Sequence, residues 1–172
     1  MKTKTMQGTN KITICKITLL SLASYEQFKG VIPSIDENWW LSTSCNNSNY
    51  AIRVCCDGHS LYSNINEYIG VRPAVLIDIE SPRYYFQGDK IRIGKYNWTV
   101  LETYGSFMRQ KLFVLCDDIV VYRNFDSKNN DWSTSALNYW LQKCGIKFIL
   151  RPAKHRFEWR VRVFSSIKTL FL

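Results

Sequence analysis

Six cysteines, Cys15, Cys45, Cys55, Cys56, Cys116 and Cys144, and two histidines, His59 and His155, are the side chains of this 172-residue chain best suited to bind metal or attack a substrate. Zinc sites draw on Cys and His pairs at short fixed spacings, and no C-x-x-C or comparable His pair occurs. Cys55 and Cys56 are neighbours in an alternating stretch, which sends them to opposite faces, so a bond between them would be strained. The thiols are read as free, buried or half-buried side chains, as suits a reducing compartment. Acid–base or nucleophilic catalysis would need a Ser, Thr or Cys beside a His and a carboxylate. His59 follows Asp57-Gly58 and completes a hairpin turn, His155 lies in a divergent tail, and the adjacent pairs Asp36-Glu37 and Asp117-Asp118 diverge in extended chain. Nor do Asp117, Asp118, Asp126 and Asp131 have a spacing that converges on calcium. The expectation is a protein that is not an enzyme, with no metal and no cofactor.

The elements that would position these residues are short and mostly extended. Ile12 to Leu20 reads as a strand, followed by a helix that presents Leu22, Tyr25 and Phe28, capped by Ser21 or Ser24 and stopped at Gly30. Tyr50 to Cys56 alternates like a half-buried strand and turns at Asp57-Gly58, and Val71 to Ile79 is a longer β-prone stretch. Lys90 to Gly94 and Tyr96 to Leu101 form a hairpin turning at Gly94-Lys95, with a further strand at Leu112 to Cys116. Ser133 or Ser135 caps a second helix with Leu137, Trp140 and Leu141 on one face, ending before Gly145. Many short strands with two short helices make an α+β domain, without the alternating rhythm of a doubly wound sheet.

The net charge of +9 lies at the ends: +4 in residues 1–29, +6 in residues 146–172 and −1 between them. The body carries no basic stripe, which argues against a nucleic-acid partner. Lys11 and Lys16 interrupt the only early apolar stretch, so no secretory signal is read, and no apolar run is long enough to span a bilayer. The default compartment is the cytoplasm.

Leu19-Leu20-Ser21, Tyr25-Glu26, Ile32-Pro33, Trp39-Trp40-Leu41-Ser42, the Asn-rich Cys45 to Tyr50, Gly58 and above all Gly70-Val71-Arg72-Pro73-Ala74 carry a resemblance. The chain resembles a bacterial domain-of-unknown-function family, common in gut Firmicutes, with Trp-Trp-Leu-Arg-Ser-Pro followed at a distance by Gly-Val-Arg-Pro-Ala. That family looks related to the C-type-lectin-like fold of formylglycine-generating enzymes and of the variable proteins of diversity-generating retroelements. Residues 12–80 resemble its C-terminal half. Residues 84–145, through Gly88 to Leu101, Asn124-Phe125, Trp132 to Ser135 and Leu137 to Leu141, resemble its N-terminal half. The order is reversed, so the chain holds either the end of one repeat and the start of another, the reading slightly favoured here, or one permuted domain completed across the linker at 80–88. Residues 146–172 form a basic tail unlike the family, in which Phe157, Trp159, Val161 and Val163 alternate as in a strand; a frame disruption in the gene would also produce it.

The resemblance implies a non-catalytic recognition module for a protein or glycan ligand, with neighbouring repeats of a tandem protein as further partners. Its rivals are a formylglycine-generating oxidase, whose thiol pair matches no Cys near Gly70 to Ala74, and an inactive gene fragment. The calcium-dependent sugar motifs of true lectins are absent, since Asn130-Asp131-Trp132 runs in a different order. By analogy the ligand would meet two polar loops, Ser42 to Tyr50 with Asn46, Asn47, Asn49 and Tyr50, and Asn124 to Ser135 with Asn129 and Trp132, flanked by Tyr122. Trp39, Trp40, Trp98, Trp132 and Trp140 are read as structural anchors, with one of the Trp39-Trp40 indoles in the core and the other near the surface. Gly70, Arg72 and Pro73 belong to the structural motif, Arg72 holding a buried carboxylate or carbonyl.

Overall fold

The computed structural model describes residues 11–149. In chain order its elements are β1 (Lys11–Thr18), α1 (Leu22–Phe28), β2 (Trp39–Ser44), β3 (Tyr50–Val54), β4 (Ser60–Asn64), β5 (Ile69–Val71) and β6 (Ala74–Ser81). They continue with β7 (Lys90–Ile93), β8 (Tyr96–Ser106), β9 (Met108–Cys116), β10 (Val121–Arg123), α2 (Ala136–Trp140), a π-helical turn (Leu141–Gly145) and α3 (Ile146–Ile149). The strands build two five-stranded sheets, one wholly antiparallel in the order β1-β6-β9-β8-β7, the other in the order β10-β5-β2-β3-β4 with β2 and β5 parallel. The molecule is thus α+β with mostly antiparallel strands and short helices, as its periodicities imply. Among the described residues no helix is long and apolar enough to cross a membrane.

Several elements follow directly from local chemistry. The Ser21 hydroxyl accepts from the Ser24 amide (3.1 Å) and so caps α1, and Ser135 does the same for the Asn138 amide (3.1 Å) at α2. The β7–β8 hairpin turns at Gly94-Lys95, where Gly94 has φ 62° and Ile93 faces Tyr96. The third strand of that run begins at Met108 rather than Leu112, because β8 extends to Ser106 and doubles back tightly.

The stretch Val71 to Ile79 is not one strand. Pro73 has no N–H to give a ladder, so β5 ends at Val71 in one sheet and β6 begins at Ala74 in the other. Gly70-Val71-Arg72-Pro73-Ala74 is therefore the crossover between sheets. Gly70 lies where β5 meets β2, and a Cβ there would come within 2.7 Å of the Asn38 carbonyl oxygen and 2.6 Å of Ile119 Cδ1, which leaves room for no side chain.

The second helix also departs from its expected end. Gly145 does not stop it; the path widens into the π turn and continues as α3, with Gly145 so close under Leu141 that a Cβ would come within 2.8 Å of Leu141 Cδ1. The Gln142 amide donates to the Ile17 carbonyl oxygen (2.7 Å), pinning this turn to β1. Residues 146–149 thus belong to the fold, and Ile149 is buried. The alternating segment Phe157 to Val163 lies outside the described residues.

Both indoles of Trp39-Trp40 are sealed, contrary to the expectation that one would lie near the surface. Alternation does send them to opposite faces of β2, but both faces are covered. Trp39 joins Leu41, Val54, Tyr25, Phe28 and Leu115 in one cluster, with Tyr25 edge-on at 5.6 Å. Trp40 joins the larger cluster with Ile65, Val75, Ile77, Trp98, Val114, Phe125 and Leu137, edge-on to Phe125 at 5.6 Å. Trp98 is fully buried as expected, whereas Trp132 and Trp140 are half-buried at the margin of that cluster.

Arg72 clamps the crossover. Its Nε donates to the Cys116 carbonyl oxygen (2.7 Å) and its Nη2 to that of Pro33 (3.0 Å), with the guanidinium 5.1 Å from the centre of the Trp39 ring. It holds carbonyls rather than a carboxylate, one of the two alternatives its type allows.

Burial pushes the Cys116 thiol up to about 12. The unfolded thiol ionises near 9.0, so above that pH the unfolded chain binds fewer protons than the folded one and stability falls as pH rises. By pH 10 the expected loss is about 1.4 kcal/mol, and a Cys116→Ala variant should show a flatter decline in urea midpoints between pH 8 and 10. The comparison belongs below pH 10, because burial lowers Arg72 to about 10 and its deprotonation in the folded state acts in the opposite sense above that.

Candidate functional site

The β3–β4 hairpin and the loop that precedes it form the most suggestive surface. Asp57-Gly58 makes the turn: Gly58 has φ 82°, the Cys55 amide donates to the His59 carbonyl oxygen (2.7 Å), and the Asp57 carboxylate accepts from the His59 amide (3.0 Å). The hydrogen bonds from His59 hold the Asp57 carboxyl below the usual carboxylate range. Cross-strand register then sets Ile52 opposite Tyr62 and Tyr50 opposite Asn64, so Tyr50, Ile52 and Tyr62 share a face. Ile52 is buried, while Tyr50 and Tyr62 are 40% and 67% exposed.

Leu22 at the start of α1 and Thr43 on β2 close the other side, tied by the Leu22 amide donating to Thr43 Oγ1 (2.7 Å). Between these walls and the Asn46-Asn47 turn lies an open cleft of about 610 Å³. Its lining is Leu22, Thr43, Ser44, Cys45, Asn46, Asn47, Tyr50, Ile52 and Tyr62, without one ionised side chain in a protein of net charge +9.

The two loops expected to carry the ligand do meet, through a residue that sequence reasoning did not single out. Asn130 is 8% exposed, and its Nδ2 reaches the carbonyl oxygens of Cys45 (2.7 Å), Tyr50 (2.9 Å) and Asn47 (3.1 Å). Its own carbonyl oxygen accepts from Ser44 Oγ (2.8 Å). One amide group thus holds the inner rim of the first loop. Replacing Asn130 by alanine removes the one side chain that bridges those three carbonyls, and amide exchange in residues 45–50 should quicken about tenfold or more while β6 and β9 keep their protection.

Of the expected ligand residues, Asn46, Asn47 and Tyr50 line the cleft, and Asn49 is exposed in the same loop, its amide donating to Asn47 Oδ1 (3.0 Å). Asn129 opens instead on a separate cleft of about 680 Å³ beside Arg123, Lys128, Tyr139 and Lys143. Trp132 lines neither cleft: its ring packs 6.0 Å from that of Phe125. The two loops are thus joined at the base through Asn130 but border two different clefts. Tyr122, 50% exposed on β10, is outside the cleft lining. Tyr62 was the missed member, although a two-strand hairpin about Asp57-Gly58 would have placed it opposite Ile52.

Among the described residues all six cysteines are free thiols, Cys55 buried and Cys56 exposed, and no group of three or more His, Cys, Asp and Glu side chains is placed to hold a metal ion. Neither a family model, nor a curated protein, nor a solved structure matches the chain, so the evidence for its function is the geometry of this face.

Proposed function

We propose that the protein is a non-catalytic recognition module of C-type-lectin-like kind whose β3–β4 face binds a neutral oligosaccharide. The uncharged lining carries this reading: tyrosine rings offer flat apolar surface to the C–H faces of a sugar, and Asn46, Asn47, Thr43 and Ser44 offer donors and acceptors to its hydroxyls. The absence of charge in this lining fits an uncharged ligand and gives no hold to a phosphate backbone. The oxidase alternative has less support, since Cys55 and Cys56 differ in burial and Cys116 is fully buried with its thiol pushed up to about 12.

For the chain's organisation, the permuted single domain is the arrangement we favour over two repeat fragments. Its support is the register of β6 with β9, unbroken from Ala74–Leu115 to Ser81–Met108, which joins the first half to the second in one sheet.

The test of the ligand is retention on immobilised neutral oligosaccharides. Wild-type protein should bind a subset, and Tyr62→Ala should weaken binding about tenfold without loss of stability, whereas Tyr122→Ala should leave it unchanged. No retention on any glycan, or retention indifferent to Tyr62, overturns the reading.

A protein strand is the second reading, and a specific observation favours it. Of the four sheet edges among the described residues, β1 carries Lys11, Lys16 and a bulge, β7 carries Lys90 and Arg92, and β10 is three residues long with Arg123. Those are the devices that blunt an edge. β4, Ser60 to Asn64, has none of them, and Leu61 and Tyr62 are exposed on it.

A further inference from the structure

At the other end of α1 lies a smaller pocket of about 200 Å³ with a charged floor. Arg72 is 1% exposed, yet none of the ion pairs among the described residues includes it. Asp117, whose charge acts on Arg72, is itself paired with Lys90 at 2.7 Å. A guanidinium has five N–H donors. Nε and Nη2 each serve one carbonyl, and Nη1 has no hydrogen-bond partner among the described residues. It is not sealed in protein either: the one buried, partnerless side-chain nitrogen or oxygen there is Arg53 Nε. The open side of the guanidinium is the pocket.

The walls are apolar, from Trp39, Val54, Ile32 and Pro33. At the mouth stand Tyr25, whose hydroxyl donates to the Gly58 carbonyl oxygen (2.8 Å), Lys29, 5.5 Å above the Tyr25 ring, and Asp57. With the Lys29 ammonium and the Asp57 carboxylate offsetting each other at the entrance, the buried cation with free donors and apolar walls is complementary to a single negative charge attached to a small apolar body. A dianion would bring a second charge and further oxygens against apolar walls that offer them no donors.

We propose that this pocket binds a small monocarboxylate, its carboxylate on the free side of the Arg72 guanidinium and its hydrocarbon chain between Trp39 and Ile32. The pocket shares no lining residue with the cleft of the β3–β4 face, so either site can fail without the other.

Sodium butyrate is the probe, titrated into the full chain at constant ionic strength beside sodium phosphate and sodium chloride. The expected result is saturable binding of butyrate, with a rise in Tm and a shift of the Arg72 Nε–Hε resonance, and no such response to phosphate or chloride. Arg72 itself supports the fold, so the blocking variant is Ser34→Trp, at an exposed pocket residue. It should weaken butyrate binding at least tenfold while far-ultraviolet circular dichroism and the urea midpoint stay those of wild type. Absence of saturable binding, an equal response to phosphate, an unmoved Arg72 resonance, or undiminished binding in folded Ser34→Trp overturns the proposal.

Discussion

Replacing Trp40 by alanine should cost about 3–5 kcal/mol of stability, enough to threaten folding at 37 °C. The indole is wholly buried, and its neighbours, Phe125 at 5.6 Å among them, belong to both sheets and to the segment beyond β10, so the site cannot collapse by moving one element. The change also removes a hydrogen bond: Trp40 Nε1 donates to the Arg123 carbonyl oxygen (2.9 Å), which would be left without its donor. Because Phe125 is followed within five residues by Asn130, loosening here should spread to the first loop through the Cys45, Asn47 and Tyr50 carbonyls. Urea midpoints measure the cost, and Trp40→Phe, which keeps an aromatic ring but not the donor, should lie between wild type and alanine.

Arg72→Met is expected to cost about 2 kcal/mol, the difference of two larger opposing quantities. Two charge-assisted hydrogen bonds, to Cys116 and Pro33, contribute about 3–6 kcal/mol together, with stacking on Trp39 in addition. Against this, burial has lowered the guanidinium to about 10, which amounts to about 3 kcal/mol of desolvation that methionine would not pay. The hydrogen bonds win because methionine fills the volume but leaves two carbonyls without donors. Arg72→Met should therefore lower the urea midpoint. An equal or higher midpoint would mean that the clamp is not what holds Pro33, β5–β6 and the end of β9 together.

These two positions also show what could be read from the chain and what could not. Ser21 and Ser135 as caps, Gly94-Lys95 and Asp57-Gly58 as turns, and the alternation in Tyr50 to Val54 are local signals, and the elements they mark form as local chemistry dictates. Pro73 is a local signal too, but its meaning is not: it breaks the β-prone stretch at the point where the chain changes sheets. The fate of Trp39-Trp40 depended on whether β2 is covered on one face or two, which only its neighbours decide. Gly145 looked like a helix stop because glycine so often is one, whereas here the helical path continues through it, with the Leu141 side chain folded over the space a Cβ would take.

The candidate face divides in the same way. Asn46, Asn47 and Tyr50 were singled out through the resemblance, as members of a polar loop. Asn130, whose amide defines the loop, sits beside residues of equal polarity and becomes distinct only through carbonyls eighty or more positions away. Asn129 and Trp132, within two positions of it, line another cleft and pack on Phe125 respectively.

The most direct measurement of the central claim is a ¹H–¹⁵N titration of the protein with the neutral oligosaccharides it retains. Saturable shifts should centre on Asn46, Asn47, Tyr50 and Tyr62, with those near Arg72 and near Tyr139 unmoved. Shifts that fail to saturate, or that centre on the Asn129 cleft instead, would contradict the assignment of the β3–β4 face as the recognition surface.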